Sequence, residues 1–174
     1  MAEKISKGLI HVYTGDGKGK TTAALGLAMR AAGQGMKIAF IQFIKGIPCG
    51  EHFFASQHHP FDIVQISVGD SFSKPKEQLS QETQQTLAYA EKEMLSGNYD
   101  LVILDEILIA ASQGLITTRQ VLDLLDKKPD SVELVLTGRK AAPEIVQRAD
   151  LVTEMLMIKH PFNEGTSARR GIEY

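Results

Sequence analysis

Short apolar runs recur along the chain, and most are followed by a stretch with helical spacing. The segments "GLIHVY" (8–13), "KIAFIQF" (37–43), "FDIVQIS" (61–67), "YDLVILD" (99–105), "VELVLTG" (132–138) and "LVTEMLMI" (151–158) predict strands. Between them Lys20–Ala32, Gln81–Leu95 and Thr117–Leu125 predict helices, the third capped by Thr117 or Thr118. Pro143 fits the first turn of a short helix ending near Arg148. Strands alternating with helices predict an α/β fold, a mostly parallel sheet with helices on both faces. The unbroken apolar run Leu101–Leu104 is what a strand covered on both faces requires. Two stretches, 44–60 and 68–80, are rich in Gly, Pro, Ser and His and read as loops. Ligands of such sheets bind at the carboxyl ends of strands, so the loops after Tyr13, Phe43, Ser67, Leu104 and Leu136 are where a site is expected.

Composition narrows the classes. A chain of 174 residues is expected to form one domain, spanning residues 1–174, with a core of its own. A net charge of −2 gives no global reason to expect nucleic acid as a partner. No apolar run approaches the roughly 18 residues that suggest a membrane span, and the first residues lack a signal-like apolar stretch, so a cytoplasmic location is expected. The single cysteine, Cys49, excludes an internal disulfide and reads as a small loop residue. His58–His59 has no further Cys or His at metal-ligand spacing and reads as a surface loop.

Segment 14–21, Thr-Gly-Asp-Gly-Lys-Gly-Lys-Thr, carries the first chemistry. It follows a predicted strand and opens a predicted helix, and it departs from the phosphate-loop pattern only at its first position, Thr14. Glycines let the backbone wrap closely around phosphates with its N–H groups turned inward, and the helix adds its positive N-terminal end. Lys20 is expected to bridge phosphate oxygens, Thr21 to offer its hydroxyl to Mg²⁺, and Lys18 to add a second cation. The second half of such a site is acidic, at the end of a buried strand; "LVILDE" supplies Asp105 and Glu106, candidates for Mg²⁺. The fold class expected from this pattern is that of a P-loop NTPase (RecA-like). By themselves these residues give a Mg-nucleotide site and no reaction.

Further strings surround the loop: "GDGKGKTTAALGLAMRAAGQG" (15–35), "IQFIKG" (41–46), "LDEI" (104–107), "LTGR" (136–139), "KHPF" (159–162) and "GIEY" (171–174). Together they resemble the ATP:corrinoid adenosyltransferases of the P-loop type, in the same order, from about Gly8 to Tyr174. The resemblance implies that cobalt(I) of a reduced corrinoid attacks the ribose 5′ carbon of ATP. The whole triphosphate then leaves, and adenosylcobalamin or a related adenosylated corrinoid forms. It implies ATP and a corrinoid as substrates, Mg²⁺, a homodimer, and room for a flavoprotein-type electron donor as partner. By position it implies ATP contacts from Gly15, Asp16, Gly17, Lys18, Gly19, Lys20, Thr21 and Thr22, with Asp16 where many members have Asn, and from Arg30 against the base or ribose. Lys20 is the loop residue expected to act in the reaction. Thr21 and Glu106, supported by Asp105, are the implied Mg²⁺ contacts. Gln42, Lys45, Arg139 and His160 also match family positions, without a role assigned.

The corrinoid side departs from the family pattern. Members displace the lower cobalt ligand with aromatics in a glycine-aromatic-polar-aromatic string, and the corresponding stretch here is Gly69, Asp70, Ser71, Phe72. Phe72 fills the second aromatic place and is the catalytic candidate on that side; Asp70 stands at the first. Only seven residues precede Gly8, whereas some members carry a longer arm over the partner's site. Near the tail, Ser167 replaces a frequent lysine, while Arg169 and Arg170 add positive charge. Two other readings fit the loop: a small-molecule kinase or ATPase using the γ-phosphate, and a non-catalytic protein that binds nucleotide and corrinoid without turnover.

Overall fold

A computed structural model of the chain describes residues 6–174, the side chain of Phe72 excepted. Six strands form one parallel sheet in the order β3-β2-β4-β5-β1-β6. They are β1 (Ile10–Thr14), β2 (Ile38–Gln42), β3 (Asp62–Gln65), β4 (Leu101–Asp105), β5 (Glu133–Thr137) and β6 (Leu151–Glu154). The helices are α1 (Lys20–Gly33), α2 (Gly50–His58), α3 (Lys76–Leu95), α4 (Ile107–Ser112), α5 (Thr118–Asp126) and α6 (Pro143–Arg148). The α/β class with a parallel sheet is as the alternating pattern predicts.

The central strands β2 and β4 are buried at every position, which is why their sequences show no polar alternation. Their side chains still divide between two faces. Ile38, Phe40, Leu101, Ile103 and Val135 pack beneath Ala24, Ala28 and Ala31 of α1. Three alanines on one helical stripe let α1 lie close to the sheet, which holds the loop before it firmly against the strand ends. Ala39, Ile41, Val102, Leu104, Leu134 and Leu136 face the larger core, built with α3, α4 and α5.

Two expectations about loops are corrected. Residues 44–60 contain α2; Cys49 stays in the loop before it, as the helix's N-cap, and donates its amide to His52 Nδ1 at 2.9 Å. Residues 68–80 hold a 3-10 turn at Ser71–Ser73, and α3 begins at Lys76 rather than at Gln81. Helix α4 was hidden in the sequence because "LVILDEILIA" runs apolar across the junction; the break is Glu106, at φ 65°. Strand β6 stops at Glu154, short of 158, and the chain then turns over the phosphate loop.

Candidate active site

The carboxyl ends of β1, β2, β4 and β5 meet along one edge. Strand register sets Gln42 beside Asp105, with Leu104 beside Leu136 and Tyr13 beside Thr137. Thr14, Gln42, Asp105 and Thr137 thus form a row of buried polar residues where each strand stops. Backbone strain gathers at the same edge. Ile44, Glu106 and Lys140, just beyond β2, β4 and β5, all have positive φ, a conformation crowded for a residue with a Cβ.

The glycine-rich loop leaves β1 through Gly15 at φ 96° and enters α1 through Gly19 at φ 123°. At Gly15 space matters as well as freedom, because an added Cβ would lie 2.4 Å from the Met155 carbonyl oxygen. The Gly17 amide donates to that same carbonyl at 2.7 Å, which fastens the loop to the segment after β6. Lys20 is buried, and its ammonium curls back to donate to the Gly15 and Gly17 carbonyls, each at 2.7 Å. Its pKa is lowered, chiefly by burial and against the opposing charge of Glu106. An ammonium held by two carbonyls inside its own loop is positioned for an anion.

Asp105 is the hub. Thr21 Oγ1 donates to its Oδ1 at 2.9 Å and Thr137 Oγ1 to the same atom at 2.6 Å. Gln42 Nε2 at 3.1 Å and the Lys45 ammonium at 2.8 Å donate to Oδ2. Burial alone would lower the Lys45 pKa; the charge and hydrogen bond of Asp105 outweigh it and hold it above the ordinary lysine value. Glu106 differs. Its amide donates to Thr137 Oγ1 at 3.0 Å, but its carboxylate Oε2 is buried without a hydrogen-bond partner among the described residues. Burial, then the neighbouring Asp105 charge, raises its pKa. An orphaned carboxylate oxygen beside a serine- or threonine-type hydroxyl and a second carboxylate is a hard-oxygen donor set of the kind Mg²⁺ takes.

Above this floor lies a cleft of about 800 Å³. Its polar wall includes Lys18, Lys20, Thr21, Lys45, Glu106 and Arg139, and its apolar wall includes Leu25, Met29, Phe54 and Phe61. The C-terminal residues Gly171–Tyr174 close one side. Lys18 donates to Glu173 Oε1 at 2.8 Å and to the Ile172 carbonyl at 3.2 Å. Hydrogen bonds from Arg169, then Lys18, bring the Glu173 pKa down to about 2.

The family described as ATP:corrinoid adenosyltransferase BtuR/CobO/CobP matches residues 6–174. The chain belongs to that family. It is similar to a corrinoid adenosyltransferase of Sinorhizobium sp, 40% identical over 185 residues, covering 100% of this chain and 84% of that protein. A corrinoid adenosyltransferase of Pseudomonas aeruginosa is 35% identical over 176 residues, 97% of this chain and 84% of its own length. One of Escherichia coli K12 is 33% identical over 170 residues, 97% of this chain and 86% of its own.

Within the family framework the structure brings together most of the residues singled out from the sequence. Gly17 through Thr22 line the cleft, with Glu106 facing them. Asp105 lies beneath, fully buried. Gly15 reaches the site through its carbonyl, and Asp16 is exposed with its Oδ1 3.9 Å from Arg139. Arg30 is not brought in: it is exposed near the end of α1, outside the cleft lining, and Met29 and Gly26 occupy that wall. The side chain of Phe72 lies outside the described residues; its backbone is in the 3-10 turn. Thr137, Glu173, Phe54 and Phe61 were not read from the sequence as site residues. Thr137 alone left a local signal, a hydroxyl ending an apolar strand. His58 and His59 are exposed as expected, but His58 ends α2 rather than lying in a loop.

Proposed function

We propose that this chain transfers the 5′-deoxyadenosyl group of ATP to the cobalt(I) of a reduced corrinoid and releases triphosphate. A cobalt(I) electron pair forms the bond to the ribose 5′ carbon, the bond from that carbon to its ester oxygen breaks, and its electron pair leaves on the triphosphate. The observation that carries this reading is the set of cations lining one cleft, Lys18, Lys20, Lys45 and Arg139, in a family of corrinoid adenosyltransferases. Such a set stabilises charge that develops on a leaving polyanion. In this proposal Lys20 exchanges its two carbonyl partners for phosphate oxygens, and N–H groups of Gly15–Thr22 other than that of Gly17 bind the rest of the chain of phosphates. Thr21 and Glu106, with Asp105 behind them, hold Mg²⁺; the orphaned Glu106 Oε2 supports this assignment. Bound there, Mg²⁺ would neutralise part of the triphosphate charge.

The apolar wall of Leu25, Met29, Phe54 and Phe61 is assigned to the adenosine or the corrinoid face, and Phe72 to the corrinoid's lower side. Arg30 would need to move to reach the base. The exposed apolar residues along and after β6, Leu151, Val152, Leu156, Ile158 and Phe162, support a second copy of the chain as partner. Among the described residues no helix is long and apolar enough to cross a membrane. We place the reaction in the cytoplasm, with a flavoprotein-type reductant as the electron source.

The test is anaerobic incubation with Mg-ATP and chemically reduced cob(I)alamin, with both products identified by mass spectrometry. Adenosylcobalamin together with intact triphosphate is expected. ADP and phosphate with unmodified corrinoid would show that the loop works on the γ-phosphate and would overturn the reading.

A further inference from the structure

Lys45 is held more firmly than an ordinary ion pair needs. The residue before it, Ile44, is β-branched yet sits at φ 65°, and the Lys45 amide donates to the Phe43 carbonyl at 2.6 Å. This tight reversal is fastened to β4, because the Phe43 amide donates to the Asp105 carbonyl at 2.9 Å. On the other side the Gly69 amide donates to the Gly46 carbonyl at 2.9 Å, and a Cβ on Gly46 would lie 2.4 Å from the Gly69 oxygen. The outcome of the turn is a single contact, the Lys45 ammonium on Asp105 Oδ2 at 2.8 Å. Asp105 does not need it for satisfaction, since Thr21, Thr137 and Gln42 already donate to its two oxygens. A strained backbone that only adds a fourth donor points to a functional use of the charge.

That charge lies among Asp105, Glu106 and Glu51, while the Lys20 ammonium is turned to its own loop carbonyls. Lys45 also lines the cleft. We propose that Lys45 is a stand-in cation for the divalent metal of Thr21 and Glu106, resting on Asp105 beside them, and a triphosphate-binding residue once it is displaced. The inference rests on the reading that this cleft takes the triphosphate of ATP. A divalent ion held by Thr21 and Glu106 repels an ammonium resting on the adjoining Asp105, so its arrival dislodges the ammonium. The side chain is tethered at the cleft wall, and the displaced ammonium meets the polyanion there. The empty protein thereby disfavours a bare divalent ion and takes metal and triphosphate together.

The test uses the full chain, Lys45→Gln and Lys45→Arg. Glutamine keeps a hydrogen-bond donor for Asp105 and removes the charge; arginine keeps the charge. Mn²⁺ is titrated without nucleotide or corrinoid and followed by the electron paramagnetic resonance signal of the free ion. Tripolyphosphate is titrated separately by calorimetry in saturating Mn²⁺, where the ammonium is displaced. Lys45→Gln is expected to bind Mn²⁺ about tenfold more tightly than wild type and tripolyphosphate about tenfold more weakly. Lys45→Arg is expected to keep the wild-type Mn²⁺ affinity. If Lys45→Gln binds Mn²⁺ no better than wild type, or Lys45→Arg binds it better, the stand-in role is overturned. Unchanged tripolyphosphate affinity in Lys45→Gln overturns the second role. Neither titration involves adenosyl transfer, so their failure is distinguishable from a failure of the product assay.

Discussion

Glu106 shows how one residue can be poor for stability and good for binding. It sits at positive φ, which costs about 1 kcal/mol or more for a residue with a Cβ, and buries a carboxylate oxygen without a partner. Its pKa is raised by burial, so the folded protein binds the Glu106 proton more tightly than the unfolded chain. The sign follows from linkage: stability falls as pH rises from the ordinary carboxylate range through the higher folded value, and at neutral pH the charge is destabilising. Glu106→Gln is expected to unfold at a higher urea concentration than wild type at neutral pH. The same variant should bind Mn²⁺ more weakly by at least roughly tenfold, measured in the presence of ATP. A variant that loses both stability and metal affinity would mark Glu106 as a structural residue. Of the neighbouring residues, Lys20 and Thr21 were legible because their roles follow from a contiguous motif. Lys45 and Thr137 were not: they reach Asp105 across sequence separations of 60 and 32 residues.

Among the elements, the segment between β3 and α3 is the one that tertiary contacts redefine. It read as a loop through residue 80, yet α3 begins at Lys76 and its first turns anchor the segment. Glu82 accepts from the Lys74 ammonium and the Ser67 hydroxyl, both at 2.5 Å, and from Gln78 Nε2 at 2.9 Å. Burial would raise the Glu82 pKa, but these donors outweigh it and lower it below its ordinary value of 4.5. A depressed folded pKa contributes stability that is present above the ordinary value and lost as pH falls through the folded one. Glu82→Gln is therefore expected to lower stability by about 1 kcal/mol at neutral pH, the scale of a partly exposed pair. The difference from wild type should shrink well below pH 4.5. Urea denaturation at the two pH values measures it; a difference independent of pH would remove the ionic contribution. Helix α2 escaped the sequence reading for a related reason. Its nine residues carry one buried side chain, Ala55, and its punctuation by Gly50 and Pro60 resembles that of a loop.

For the molecule as a whole, the cleft is assembled from distant parts of the chain. Its walls come from α1, the turn after β2, α2, the end of β4, the turn after β5 and the C-terminal tail. A ligand that spans them binds the folded state and not the unfolded chain, so it should stabilise the protein by mass action. At about 100 times its dissociation constant, Mg-ATP is expected to raise Tm by about 5–10 °C in differential scanning calorimetry. ATP with the divalent ion chelated should raise it less. Equal shifts with and without the divalent ion would argue against a metal at Thr21 and Glu106.

The sequence by itself determined the α/β class, the glycine loop that opens α1 and the acidic end of β4. Each of these is a local pattern: alternation of apolar runs with helical spacing, glycines before Lys-Thr, carboxylates after four buried apolar residues. Its resemblance to a known family also named the chemistry that the family match then supported. Only the tertiary structure decided how the charges are paired. Lys45 on Asp105, Glu173 on Lys18 and the Glu106 Oε2 left without a donor among the described residues depend on strand register and on turns with positive φ. Lys18 and Glu173 lie 155 residues apart, and no spacing rule links them. Periodicity encodes which face of an element is buried; which charged side chains then meet is set by the sheet order that brings their strand ends together.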